Sequence, residues 1–365
     1  MQYKHRQEEH MNFKNVLRTV LVAGSVMCAT LAHSEEPVLL DPSLLQPASD
    51  KMIAEGKFKR DKPWTIGFSW PGVGNTWIVQ TIQEIKYAAS QDPNIKELVF
   101  VEANWQPNKQ VSDIEDLLTR KIDALLVLPI NPDLVKAQIA VARSRNIPVI
   151  VYTPAGTTMD ADLTFYGGGE FFGKAGGEFL KKKLGGKGTI WAFRGVPGSA
   201  DDFTRYNGLV KALEGTDIKI GSEVYGEWNY AKSKQLCENL VATGQPVDGI
   251  WFSGAEMTRA CIEVFNEIGK PLVPMTGEGN NGFLRIWKET GVDSMGAVFT
   301  PGIGPAMVRA ATALLEGKSL HQSYASDPKP ITAENFDKFY RPDLSDAYWM
   351  PSTLPENVLM ETFKR

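Results

Sequence analysis

Trp64-Thr65-Ile66-Gly67-Phe68-Ser69-Trp70-Pro71-Gly72-Val73-Gly74-Asn75-Thr76-Trp77 is the stretch that decides the fold. Residues 65–70 are a short, largely apolar run that reads as a strand. Pro71 to Gly74 supply a tight turn and Asn75 is a helix-capping residue type. Ile78, Ile82, Ile85 and Ala89 then recur at helical spacing. Strand, tight loop and amphipathic helix, in that order, are the first half of a βαβ unit.

The same rhythm continues outward from this stretch. Further strands are expected at residues 98–102, 124–128 and 148–152, and a second set at 189–193, 218–225, 249–252, 272–276 and 295–300. These runs are nearly continuous in apolar residues, as expected for parallel strands covered on both faces. Helical stripes lie between them: Val111, Ile114, Leu117 and Leu118; Leu209, Val210 and Leu213; Met257, Cys261, Val264, Phe265 and Ile268. They read as core. Two groups of βα units predict an α/β protein with two doubly wound parallel-sheet lobes and a cleft between them. In such open sheets ligands bind beyond the carboxyl ends of the strands, so the loops after each strand are the functional positions.

Composition narrows the classes. The chain has 365 residues, 43% hydrophobic and 22% charged, with a net charge of −4. Two domains suit that length, and nucleic acid is not a suitable partner for an acidic chain. Lys14 and Arg18 precede a mostly apolar run from Val20 to Leu31, followed by Ala32-His33-Ser34. That is the pattern of a signal peptide over residues 1–34, with Met1 and Met11 both open as the start. Cys28 follows Met27, a poor neighbour for lipidation. The expected location is the periplasm, where Cys237 and Cys261 could pair or stay as buried thiols.

Catalytic patterns are missing. Of four histidines, His5, His10 and His33 precede the expected cleavage site, leaving His321, which reads as solvated in a polar tail. No metal-spaced Cys/His cluster and no G-x-S-x-G occurs, so no enzyme, metal or cofactor is expected. Residues 167–175, GGGEFFGKA, come close to a phosphate-binding loop, but Ala175 stands where a hydroxyl is needed and Glu170 adds negative charge. They read instead as a crossing between lobes that runs into a helix.

The strand-end loops combine aromatic rings with amides: Trp70, Asn75 and Trp77; Asn104 and Trp105; Asn131; Tyr152. Carbohydrates stack their C–H faces on aromatic rings and hydrogen-bond to planar polar groups.

Gly74-Asn75-Thr76-Trp77, Leu126–Pro129, Asn146-Ile147-Pro148-Val149-Ile150, Gly195-Val196-Pro197-Gly198-Ser199 with Arg205 and Gly208, and Gly277-Glu278-Gly279-Asn280-Asn281 occur in an order that resembles the type I periplasmic binding proteins, in their ribose-binding-like branch. The likeness runs from about Trp64 to Lys318. It implies two lobes joined by three strands, closing on a small sugar or polyol for delivery to an inner-membrane ABC permease, with a monomer expected. A sensor presenting its ligand to a chemoreceptor or kinase is the alternative. Family binding positions fall on Asn75, Trp77, Arg205, Trp228 and Glu278, with Asn280 close by; Trp70, Trp105 and Tyr152 join them from the loop reading. The family's Asp-Arg pair after the fourth strand is replaced by Thr153-Pro154, an Asn by Gly254, and an amide by Phe299 or Thr300, so ribose itself is not expected. The implied division is a leader at 35–62, a first lobe of 63–166 plus 300–328, and a second of 167–299 plus 329–365.

Overall fold

The computed structural model describes residues 37–365. The expected signal peptide, its cleavage site, Cys28, His5, His10 and His33 lie outside the described residues. The first lobe is built on β1 (Trp64–Trp70), β2 (Ile95–Glu102), β3 (Ala124–Val127), β4 (Val149–Pro154), β5 (Leu163–Gly167) and, far along the chain, β11 (Ser323–Ser326). Their order across the sheet is β11-β5-β4-β3-β1-β2, all parallel, with the two-residue strand Gln46–Pro47 antiparallel on the β11 edge. The second lobe holds β6 (Lys187–Arg194), β7 (Asp217–Tyr225), β8 (Gly249–Phe252), β9 (Met275–Glu278) and β10 (Ser294–Ala297), parallel in the order β10-β9-β8-β6-β7.

Strand alternation sends successive side chains to opposite faces, and both faces are buried. Leu125 and Val127 of β3 pack with Ile114, Leu117 and Ile139 of α2 (Pro107–Thr119) and α3 (Lys136–Ser144). Ala124 and Leu126 face the other way, into the core shared with α1 (Thr76–Gln91). In the second lobe Ile190 and Ala192 meet α4 (Gly169–Lys183) and α5 (Ala200–Leu213), while Trp191 and Phe193 join the core of α6 (Tyr230–Ala242), α7 (Ala255–Glu267) and α8 (Asn281–Thr290). The helix α9 (Ile303–Leu315), apolar almost all round, returns the chain to the first lobe and packs on α1. Three segments connect the sheets: β5 into α4, residues 298–302 between β10 and α9, and residues 327–330 after β11. The GGGEFFGKA segment is the first of these, with β5 ending at Gly167 and α4 starting at Gly169.

Several expectations need correction. The strand expected at 272–276 starts only at Met275, because Pro271 and Pro274 have no N–H to give to a ladder. That expected at 295–300 ends at Ala297, where the chain leaves the sheet. β5 and β11 were not expected. Val210 and Ile268 are exposed rather than core. His321 is not solvated: it lies in a two-residue strand paired with Met52–Ile53, its Nδ1 2.6 Å from the Ser49 carbonyl. Residues 37–62, read as a leader, bury Leu39, Leu40, Leu45, Ile53 and Phe58 in the first lobe's core.

The chain ends in α10 (Glu356–Phe363). Cys237 of α6 and Cys261 of α7 form a disulfide, with Cα atoms 5.5 Å apart and both residues fully buried. It closes a loop of 24 residues within one lobe. Loop-closure entropy for that length is worth about 3.5 kcal/mol. Replacing both cysteines by Ala is expected to lower unfolding stability in urea by about that amount, after any cavity cost; an unchanged midpoint would show that the crosslink adds nothing.

Candidate functional site

The carboxyl ends of both sheets face one another across a cavity of about 80 Å³. One water needs about 10–15 Å³ on this measure, so the space takes on the order of five waters, roughly the volume of a five-carbon sugar or polyol.

From the first lobe come Trp70 at the end of β1, then Pro71, Asn75 and Trp77 in the following loop and helix start. Asn75 caps α1, its side chain accepting from Ile78 N at 3.0 Å. The Trp77 ring stacks on Phe299 with centroids 4.5 Å apart and its Nε1 donates to the Phe299 carbonyl at 2.8 Å. Its indole therefore fixes the second inter-lobe crossing as well as lining the cavity. Gln110, fully buried on α2, donates to Leu128 O at 2.7 Å and accepts from Ile130 N at 2.8 Å, which sets the loop after β3. Tyr152, on β4, donates to Gly167 O at 2.7 Å.

Two tryptophans meet across the cleft. Trp105 follows β2, Trp228 follows β7, and their ring centroids lie 6.1 Å apart. Each sits in a pair of left-handed residues: Asn104 and Trp105 at φ 51 and 59, Glu227 and Trp228 at φ 56 and 52. Such backbone is unfavourable for residues with a Cβ and persists only where its surroundings hold it. Here each indole lies flat on a glycine, Trp105 on Gly72 and Trp228 on Gly195, and a Cβ at either glycine would collide with the ring. Trp228 Nε1 also donates to Ser253 O at 2.9 Å.

The charged groups come from the second lobe. Arg205 of α5 is buried, with Nη1 donating to Ser253 O at 2.5 Å and 3.9 Å from Glu278 Oε2. Its guanidinium carbon lies 4.0 Å over Phe172 and 5.4 Å over Phe299. Burial pushes the Glu278 carboxyl up to about 7 against the pull of Arg205, with the charges of Glu256 and Asp201 adding to the rise. Burial also raises Asp201 and Glu256, and raises Tyr152 well above its ordinary range. Glu256 accepts from Thr76 Oγ1 at 2.6 Å, joining α7 to α1. Asp201 Oδ1 and Arg205 Nε are enclosed and have no hydrogen-bond partner within the protein. One guanidinium and three carboxyls in an aromatic box, two of them with unused polar atoms, can accept and donate to a hydroxylated solute.

Trp70, Asn75, Trp77, Trp105, Tyr152, Arg205, Trp228 and Glu278 thus all line the cavity. Asn280 does not. Its Oδ1 caps α8 through Phe283 N at 3.0 Å and its Nδ2 donates to Asp346 O at 3.0 Å. Sequence reasoning missed Asp201, Glu256 and Trp349 as lining residues. Asp201 was findable, since it lies one helical turn before Arg205 on the same face. Trp349 carried no periodic signal. Among the described residues no His, Cys, Asp and Glu group is placed to hold a metal ion, and no helix is long and apolar enough to cross a membrane.

Comparison with known proteins agrees with this architecture. A ribose import binding protein of Bacillus subtilis is 22% identical over 73% of this chain and 87% of its own. A xylitol-binding protein of Mycolicibacterium smegmatis is 26% identical over 66% and 70%. Among solved structures, an ABC transporter solute binding protein from Thermobispora bispora superposes with a TM-score of 0.71, at 24% identity over 82% of this chain and 94% of that one. The family model described as periplasmic binding protein domain matches residues 66–319, well over half of the chain, and the protein belongs to that family.

Proposed function

We propose that this protein captures a small, uncharged sugar or polyol between its lobes in the periplasm and delivers it to an inner-membrane ABC permease. The observation that carries the reading is the aromatic-walled cavity around Arg205, Asp201 and Glu278. Trp105 and Trp228, whose rings meet at 6.1 Å, give the solute an aromatic wall to lie against. Asp201 Oδ1 and Arg205 Nε offer an acceptor and a donor that the protein itself leaves unused. Three carboxyls against one guanidinium disfavour an anionic solute. The named relatives support the class: they bind or import ribose and xylitol, and solved neighbours hold arabinofuranose and myo-inositol. Because these relatives serve import and binding, delivery to a permease is favoured over presentation to a sensor. The signal-peptide pattern read in the sequence of residues 1–34 and a relative described as a D-xylose-binding periplasmic protein support the location.

A thermal-shift panel of the protein lacking residues 1–34 tests this directly. A neutral sugar or polyol that binds only the folded form should raise Tm, by an amount equivalent to about 2.7 kcal/mol at a hundred times its Kd. A shift only with carboxylates or amines would overturn the solute class. With the ligand in hand, Arg205→Ala should weaken binding at least about tenfold by calorimetry, since hydrogen bonds to charged groups contribute about 1.5–3 kcal/mol. Retained affinity would remove Arg205 from the site.

The raised carboxyl gives a pH dependence. Glu278 holds its proton up to about 7 in the folded chain and releases it nearer 4.5 when unfolded. Below 4.5 its contribution is fully present; as pH rises through about 7 it is lost, because the ionised form is the one that burial penalises. Tm of the ligand-free protein should therefore carry a downward component between pH 5 and 8 that Glu278→Gln removes. The same slope in both proteins would place the titration elsewhere.

A further inference from the structure

Residues 331–363 extend past the region matched by the family model, which ends at residue 319. They are pinned to both lobes. On the second lobe, Ile331 and Gly296 exchange backbone hydrogen bonds at 2.7 and 3.0 Å. Asn281 Nδ2 donates to the carbonyls of Arg341 and Leu344 at 2.7 and 2.8 Å, and Arg285 binds Asp346 and Leu344 O, both at 2.8 Å.

On the first lobe, two fully buried polar side chains of α1 hold the segment. Gln80 pairs with the Trp349 backbone as a neighbouring strand would, accepting from its N at 2.8 Å and donating to its O at 2.8 Å. Glu84 accepts from Ser352 Oγ at 2.7 Å and Thr353 N at 2.9 Å. A buried amide and a buried carboxyl are costly unless their partners are fixed, so α1 and the segment hold each other in one register.

Trp349 sits between the two anchorages. It is 3% exposed and its indole lines the cavity. Nε1 donates to Thr76 Oγ1 at 2.7 Å, and that hydroxyl donates to Glu256 Oε1 at 2.6 Å. Tail, first lobe and second lobe are joined in one short chain of hydrogen bonds that ends at the cavity wall.

We propose that residues 331–363 form a strap across the two lobes and that Trp349, held by it, is the wall that sets the length of solute the cleft accepts. This rests on the sugar or polyol reading for the identity of the solute, but the strap itself does not. An indole locked at both backbone atoms and at Nε1 cannot swing aside for a longer chain, so length is rejected by a fixed surface.

Two measurements separate the claims. Hydrogen exchange on the ligand-free protein reads the strap: the amides of Trp349 and Ile331 should exchange as slowly as those of β8 and β9. Exchange at the rate of a free tail would overturn the strap whatever the ligand is. Calorimetry with straight-chain polyols of four to seven carbons reads the wall. The unaltered protein should prefer one length. Trp349→Ala should move that preference to a longer chain and lose at least about tenfold on the original, while Trp349→Phe, which keeps an aromatic wall, should retain the preferred length. An unshifted preference in Trp349→Ala would overturn the wall. If no polyol or sugar binds the unaltered protein, the carbohydrate reading falls, Trp349 loses its assigned role with it, and the strap stands or falls on the exchange data.

Discussion

A guanidinium cannot lie in an apolar box unless other groups take its charge and its hydrogen bonds. Arg205 is in that position, and the second lobe is arranged around it. Ser253, at the end of β8, offers its carbonyl; Glu278, at the end of β9, offers a carboxyl; Phe172 of α4 and Phe299 of the crossing offer ring faces. Ser253, Glu278 and Phe299 lie at or just past the carboxyl ends of β8, β9 and β10, and Phe172 lies in the first turn of α4. One side chain therefore gathers two strand ends, a helix and an inter-lobe segment. The ion pair with Glu278, at 3.9 Å, is loose. Burial rather than pairing dominates the Glu278 carboxyl, and its titration near 7 follows from that imbalance.

The aromatic walls obey a different constraint. Trp105 and Trp228 leave corresponding positions in the two lobes, one after β2 and one after β7, and both sit on left-handed dipeptides. A backbone excursion of this kind costs roughly 1–3 kcal/mol per residue. Its return is orientation: the chain turns abruptly, the ring drops onto a glycine, and its other face is directed into the cleft. The two lobes thus close the same stretch of cavity wall with one device, each contributing a ring that meets the other.

The alternation of short apolar runs with amphipathic helices was enough to read the two doubly wound sheets, because parallel strands buried on both faces must be apolar throughout. β5 and β11 escaped for the same reason in reverse. Leu163–Gly167 is preceded by Asp160 and Asp162, and Ser323–Ser326 is half serine, so neither stands out as an apolar run. The site was legible where it hangs on strand ends, as at Trp70, Trp105 and Tyr152, and through the family resemblance at Arg205, Trp228 and Glu278. It was not legible where long-range hydrogen bonds deliver a residue. Gln80 binds the Trp349 backbone 269 positions away and Glu84 binds Ser352 268 positions away; Trp349-Met350-Pro351 reads as a segment that packs across the body, but its local sequence does not announce which residues it meets or that it reaches the cavity. Asn280 shows the converse: a residue in the right loop can have its amide consumed by a helix cap and a tail carbonyl.

Why a carboxyl near neutrality suits a polyhydroxy solute follows from the chemistry of the hydroxyl. A carboxylate only accepts hydrogen bonds, whereas a carboxylic acid both donates and accepts. A solute hydroxyl does both, so it can meet Glu278 in either protonation state by rotating its own proton. An ammonium requires the ionised form and a carboxylate solute the protonated one. A site with one fixed cation, three carboxyls raised by burial and several aromatic faces is therefore tolerant of pH for hydroxylated solutes and selective by pH for charged ones, which ties the electrostatics of the box to the class of molecule it is proposed to hold.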